Sequence, residues 1–137
     1  MSSLLAGVLL AATVITTPDA TLAPLSIVAH RGAIYQTDKA GDPTQGFMEI
    51  DNTGGPDALV EASCPIADTT SIVGPDGKPL GNLAIPAGQN VTLRANGPHL
   101  LLRATHFSVQ YGGIIPCSLT FSKAGTMSIF LYAEKGP

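Results

Sequence analysis

From Leu25 to the end of the chain, apolar and polar residues alternate in short runs. In "IIPCSLTF", Ile115, Cys117, Leu119 and Phe121 take every second place, with Pro116, Ser118 and Thr120 between them. Successive side chains of a strand point to opposite faces, so the apolar set lines one face and the polar set the other. The pattern recurs where Met48 and Ile50 alternate with Glu49 and Asp51, and where Val60, Ala62 and Cys64 alternate with Glu61 and Ser63. It recurs again where Val91, Leu93 and Ala95 face in, and at Met127, Ile129 and Leu131. Turn formers cut the runs: Asn52 to Asp57, "GPDGKPLGN", "PAG", the Gly-Pro before His99, and Lys123-Ala124-Gly125. Turn signals at roughly eight- to twelve-residue spacing between short alternating runs predict an all-β sandwich or barrel. The runs predict eight or nine strands: Leu25–Ile34, one through Met48, Ala58–Cys64, Asp68–Val73, Leu83–Ile85, one through Val91, His99–Thr105, Ile114–Ser122 and Thr126–Ala133. A chain of 137 residues carries one such domain with a core of its own.

Charge excludes two classes of partner. Only 12% of the residues are charged, the formal net charge is −3, and Lys and Arg are scattered. No basic footprint for nucleic acid exists, nor one for an anionic membrane surface. The first residues, "MSSLLAGVLLAATVITTPDATLAP", read as an export signal. Leu4 to Ile15 is apolar or small throughout, about the length of a signal core and too short to span a bilayer. Cleavage after Ala20 or Ala23 gives a signal over 1–23 and a domain over 24–137. An uncleaved anchor is the alternative, because no Lys or Arg precedes the run and Pro18 and Pro24 lie beside the cuts.

Cys64 and Cys117 are the only cysteines. An even count in an exported domain suggests one disulfide, and the alternation projects both sulfurs inward. Free buried thiols and metal thiolates remain the alternatives.

"IVAHRGA", Ile27 to Ala33, resembles the His-Arg-Gly signature that opens glycerophosphodiester phosphodiesterases. That family is a TIM barrel, which needs at least about 200 residues, and its downstream Glu-Asn-Thr is replaced here by "IYQTDKAGDPTQG". The segment reads instead as a polar patch on a first strand. There is no Gly-x-Ser-x-Gly elbow, no phosphate-cradling glycine loop and no His-Glu-x-x-His. No enzyme activity is expected.

Read together, three blocks carry a different resemblance. "GFMEIDNTGGPDALVEASCPIADT", "LAIPAGQNVTLRANGPHLLL" and "IPCSLTFSKAGTMSI" follow one another in order. They resemble the periplasmic copper chaperone family PCuAC, with its Met-bearing strand, Asn-Thr-Gly turn, Ile-Pro-Ala-Gly, Gly-x-His-Leu strand and Leu-Thr-Phe-x-x-Ala-Gly. The resemblance covers most of Ser26 to Ala133. It implies a cupredoxin-like Greek-key β-sandwich in the periplasm that binds Cu(I) and hands it toward cytochrome oxidase assembly. The implied partner is a copper-accepting oxidase subunit or another periplasmic protein.

The same resemblance implies a ligand set that this chain has largely lost. Cu(I) is soft and takes thioether sulfur with imidazole, and a His-x-Met pair serves because residues two apart on a strand share a face. His99 stands at the His of that pair and Leu101 at its Met. The upstream His falls near Val73 and its companion sulfur near Pro75, and the following loop contains no Met. Met48 and Met127 belong to apolar faces and read as core. His106 and His30 are the candidate helpers for a two-nitrogen site with His99. The expectation is copper handling through a degenerate site, with a metal-free structural or protein-binding module as the alternative.

Overall fold

The computed structural model describes residues 26–137. The signal expected over 1–23, with its cleavage points, lies outside the described residues.

Nine strands form among the described residues: β1 Ile27–Tyr35, β2 Thr44–Asn52, β3 Asp57–Ser63, β4 Ala67–Val73, β5 Leu83–Ile85, β6 Asn90–Leu93, β7 His99–Thr105, β8 Ile114–Phe121 and β9 Gly125–Glu134. They hydrogen-bond in the order β4-β7-β2-β1-β9-β8-β3-β5, with β6 also on β2. All pairings are antiparallel except that of β9 with β1. No helix of the described residues is long and apolar enough to cross a membrane.

The path folds around one core. Ile50, Leu59, Ile85, Leu100, Leu102, Leu119 and Leu131 are fully buried in it, with Met48 beside them. The alternation of β8 and β9 is realised as the sequence predicts: Cys117, Leu119 and Phe121 are buried, and Ile129, Leu131 and Ala133 oppose the solvent-facing Phe130 and Tyr132. Cys64 and Cys117 both point inward and are joined as a disulfide.

Two expected inward sets are corrected. In β3 the register shifts between Leu59 and Glu61. This bulge turns Leu59 into the core and leaves Val60 exposed, while Ala62 and Cys64 keep their inward face. One extra residue on a strand resets the alternation before it. In β6 the strand ends at Leu93, where the turn bonds Gly97 N to Arg94 O and Arg94 N to Pro98 O begin, so Ala95 is exposed.

Two turns are tied by single side chains. Asn52, buried, donates through Nδ2 to Gly55 O (2.9 Å) and to Ile85 O and Pro86 O (3.2 Å each), and accepts from Gly54 N (2.9 Å). The Asn of the Asn-Thr-Gly motif is therefore structural: it binds the β2–β3 turn to β5. Asp57 does the same for the β8–β9 turn, its two oxygens accepting from Lys123 N (2.8 Å) and Ala124 N (2.9 Å).

Candidate metal centre

The residues expected around a metal meet on the outer face of β4, β7 and β2. Leu100 and Leu102 face the core, so His99 and Leu101 face the other way. Val73 is the direct register partner of His99, and Ser71 that of Leu101. On the other side Gln45 opposes Leu101, and the Phe47 ring stands 6.2 Å from the imidazole, centroid to centroid. His99, Val73 and Leu101 are thus neighbours on one patch of sheet. Pro75 is not on that patch. It lies past the end of β4 on a hairpin that folds back, with Gly74 N bonded to Lys78 O, Leu80 N to Ile72 O, and Val73 bridged to Pro79.

The patch is filled rather than hollow. Val73 is 1% exposed and His99 3%, although both sit on the outside of the sheet. The returning hairpin pairs with Val73 along the edge of the sheet, and Phe47, with Tyr35 packed edge-on against it at 4.9 Å, walls the imidazole on the β2 side. His99 Nδ1 lies 2.9 Å from Gly97 O. A carbonyl only accepts, so Nδ1 carries the proton and the available lone pair is on Nε2. One aromatic nitrogen, two aliphatic side chains and a phenyl ring do not make a Cu(I) cage, which needs several soft donors converging on one point. Met48 cannot contribute, because it faces the core, and Met127 lies on β9, which pairs with β1 and β8 and not with β7 or β4.

Neither candidate helper reaches His99. His106 follows the far end of β7, seven residues on, which is roughly 20 Å of extended chain. Its Nε2 is occupied 2.7 Å from Asp68 Oδ1. His30 sits on β1, across β2 from β7, opposite Glu49. Its Nε2 is 2.8 Å from Asp51 Oδ2, an ion-pair distance without hydrogen-bond alignment. The bond from the Asn90 amide holds the Asp51 carboxyl below the usual range; burial opposes this and His30 adds to it. The imidazoles of His30 and His106 thus belong to two separate carboxylate pairs. No group of three or more His, Cys, Asp or Glu among the described residues converges as a metal site.

"IVAHRGA" resolves into a β-bulge. The β1–β2 register shifts between His30 and Ala33, and Arg31 takes a left-handed φ of 56°. Gly32 packs so closely on β9 that a Cβ there would collide with Phe130 O. Alternation alone could not reveal this; a Gly inside a strand pattern was the one available signal.

The family model described as "Putative lipoprotein LpqE-like" matches residues 27–131. The chain belongs to the LpqE-like family. Among solved structures, the copper-bound PCuAC domain from PmoF2 superposes with a TM-score of 0.73 at 19% identity, covering 81% of this chain and 94% of that one. The apo PCuAC domain from PmoF1 gives 0.74 at 18% identity, covering 81% and 95%. The Cu(I)-bound DR1885 from Deinococcus radiodurans gives 0.63 at 20% identity, covering 85% and 83%. No curated protein matches the chain. The LpqE-like chain is all-β and shares the fold of PCuAC domains, as the resemblance read from the three sequence blocks implies.

Proposed function

We propose that this LpqE-like chain is an exported, non-catalytic binding domain that acts in copper handling or in delivery of copper toward cytochrome oxidase assembly, with its own metal contact reduced to His99. Membership of a family built on the PCuAC fold supports the reading, as do the copper-bound relatives of that fold. A periplasmic location fits the lipoprotein description of the family, the apolar leader and a disulfide that an oxidising compartment maintains. Its partner in this role is a copper-accepting oxidase subunit or another periplasmic protein.

The observation that carries the proposal is the bond from His99 Nδ1 to Gly97 O, which leaves Nε2 as a fixed nitrogen lone pair. Anaerobic titration of the full chain with Cu(I) against a chromogenic competitor tests it. Saturable one-to-one binding, weak enough for the competitor to strip and abolished by His99→Ala, is expected. Absence of binding overturns it.

A second reading rests on a specific observation. Val73 and Leu101, with the Phe47 ring beside them, place carbon around His99, as a module that has given up the ion would do. Such a module is free of metal and meets a protein partner instead. In that case excess Cu(I) leaves the melting temperature unchanged, whereas a ligand that binds only the native state raises it by mass action.

A further inference from the structure

We propose that the seam between β1 and β9 is a strand-accepting groove that binds an extended peptide segment of a partner protein, an acidic side chain lying against Arg31 and an apolar one against Phe130 and Tyr132. The proposal does not depend on copper.

The two strands are joined only at their C-terminal ends, through Tyr132↔Ala33, Ala133↔Ile34 and Glu134↔Tyr35. Upstream, Ile27 to His30 pair with β2, and Thr126 to Phe130 pair with β8. Among the described residues no rung crosses between these two stretches. A groove of about 510 Å³ opens there, with Ala29, His30 and Arg31 on one bank and Ser128, Phe130 and Tyr132 on the other. That volume is in the range of peptide and small-molecule sites.

The backbone of β9 is turned toward this groove. Phe130 O points at Gly32, since a Cβ on Gly32 would nearly touch it. In a strand the N–H and C=O of one residue point to the same side, and the next residue points to the other. Thr126 and Ser128 therefore direct their main-chain groups into the seam, while Met127 and Ile129 bond to β8. The residue opposite Phe130 agrees: Pro116, which has no N–H to give, occupies a pair that needs none.

Among the described residues, Thr126 and Ser128 thus present an N–H and a C=O each with no strand to take them. Open edges are ordinarily blunted by charge, proline or brevity. The run Gly125 to Ala133 contains no charged residue and no proline. Because β1 and β9 run parallel, one strand antiparallel to both completes two ladders at once, the geometry of β-augmentation.

Side chains on the banks specify the occupant. Phe130 is 55% exposed and Tyr132 58%, and their register partners Pro116 and Ile114 extend the apolar shelf. On the opposite bank the bulge aims Arg31 outward. Its side chain is 74% exposed, with the Glu49 carboxylate 3.7 Å away and Asp51 near enough to feel its charge. Bulges re-aim side chains in this way, and a non-glycine residue held left-handed is a strain that a site can justify. The β9 bank bears no charge, and His30 is taken by Asp51, so the charge complementary to the groove itself is negative.

The test pans a phage-displayed random dodecapeptide library against the full chain and titrates the enriched peptides into isotope-labelled protein by NMR. The expected peptides alternate apolar residues with at least one Asp or Glu. They shift the amides of Thr126, Ser128 and Ala29 to Gly32, and they bind at least tenfold more weakly to Phe130→Ala and to Arg31→Glu. Both variants alter exposed side chains, and unchanged spectra elsewhere show that the fold is kept. Four results overturn the proposal: no enrichment, a footprint away from the seam, concentration-dependent self-association that protects the same amides, or peptide binding that appears only when residues 1–25 are removed. The third assigns the seam to a second copy and the fourth to the chain's own leading segment. Loss of Cu(I) binding in His99→Ala with peptide binding intact separates this site from the metal reading.

Discussion

Removing the Cys64–Cys117 bridge is expected to cost this domain more stability than any other single covalent change. The bridge closes a loop between residues 53 apart in sequence. On the chain-entropy relation, a loop of that size restricts the unfolded chain by about 14 cal/mol/K, or about 4 kcal/mol at room temperature. Native domains are stable by about 5–15 kcal/mol, so the bridge is a large part of the margin. The assay is urea denaturation of wild type and of Cys64→Ala/Cys117→Ala, followed by circular dichroism. A loss of about 4 kcal/mol is expected, with a fall in melting temperature of roughly 15 °C. Both sulfurs are buried, so truncating them adds a small packing loss in the same direction. The native protein should resist reductant until urea opens it, and alkylation of the unreduced, unfolded chain should label no thiol. Two labelled thiols, or a variant within about 1 kcal/mol of wild type, would refute the reasoning and bring back the thiols as donors for a soft ion.

Four further outcomes follow from the same contacts. Asn52→Ala removes the amide that binds Gly55 O, Ile85 O and Pro86 O and frees Gly54 N, and a loss of about 2–3 kcal/mol in urea denaturation is expected. Desolvation raises the Asp57 pKa, but the N–H groups of Ala58, Lys123 and Ala124 outweigh it and hold the carboxyl below its usual value. A depressed pKa contributes stability above the unfolded value near 3.9 and loses it as pH falls through the folded value. Asp57→Asn should therefore flatten the acid limb of a stability–pH curve below about pH 4. Ala104, non-glycine at φ 55° within β7, is strained, and Ala104→Gly should be neutral or raise the melting temperature slightly, whereas an ordinary strand Ala→Gly lowers it. Leu101→Met conserves volume and sets a thioether two residues from His99 on the same face. It should tighten Cu(I) binding at least tenfold in the competitor titration with little change in stability.

The fold was legible where alternation is unbroken. In β8 and β9 the period of two states which side chains are inside, Cys117 among them, and past the β3 bulge the same period still turns Cys64 inward. It failed where one inserted residue resets the phase. Val60 looks inward in the sequence, but the bulge turns Leu59 in and Val60 out. Arg31 looks like an ordinary strand residue, although it takes a conformation that the neighbouring strands impose. Nothing in the local pattern around Val60 records the missing pairing partner, and at Arg31 only the glycine that follows it does.

The candidate site was legible as a position and illegible as an environment. Pairing of Val73 with His99 follows from the register of β4 and β7, so of the positions implied by the PCuAC resemblance Val73, His99 and Leu101 are neighbours and Pro75 is not. What surrounds them is decided elsewhere: by Phe47 arriving on β2, and by a hairpin that returns beside Val73. A histidine at the first place of a strand, with leucines after it, reads equally as a ligand or as a filler. The structure separates these by what its second nitrogen can meet. For His99 Nε2 the neighbours on both flanking strands are carbon, so a soft ion gains a single bond there while the imidazole surrenders favourable packing. On the proposed reading, the copper affinity of this chain is set less by keeping the histidine than by what stands opposite it and two residues beyond, and replacing Val73 or Leu101 is the lever that would move it.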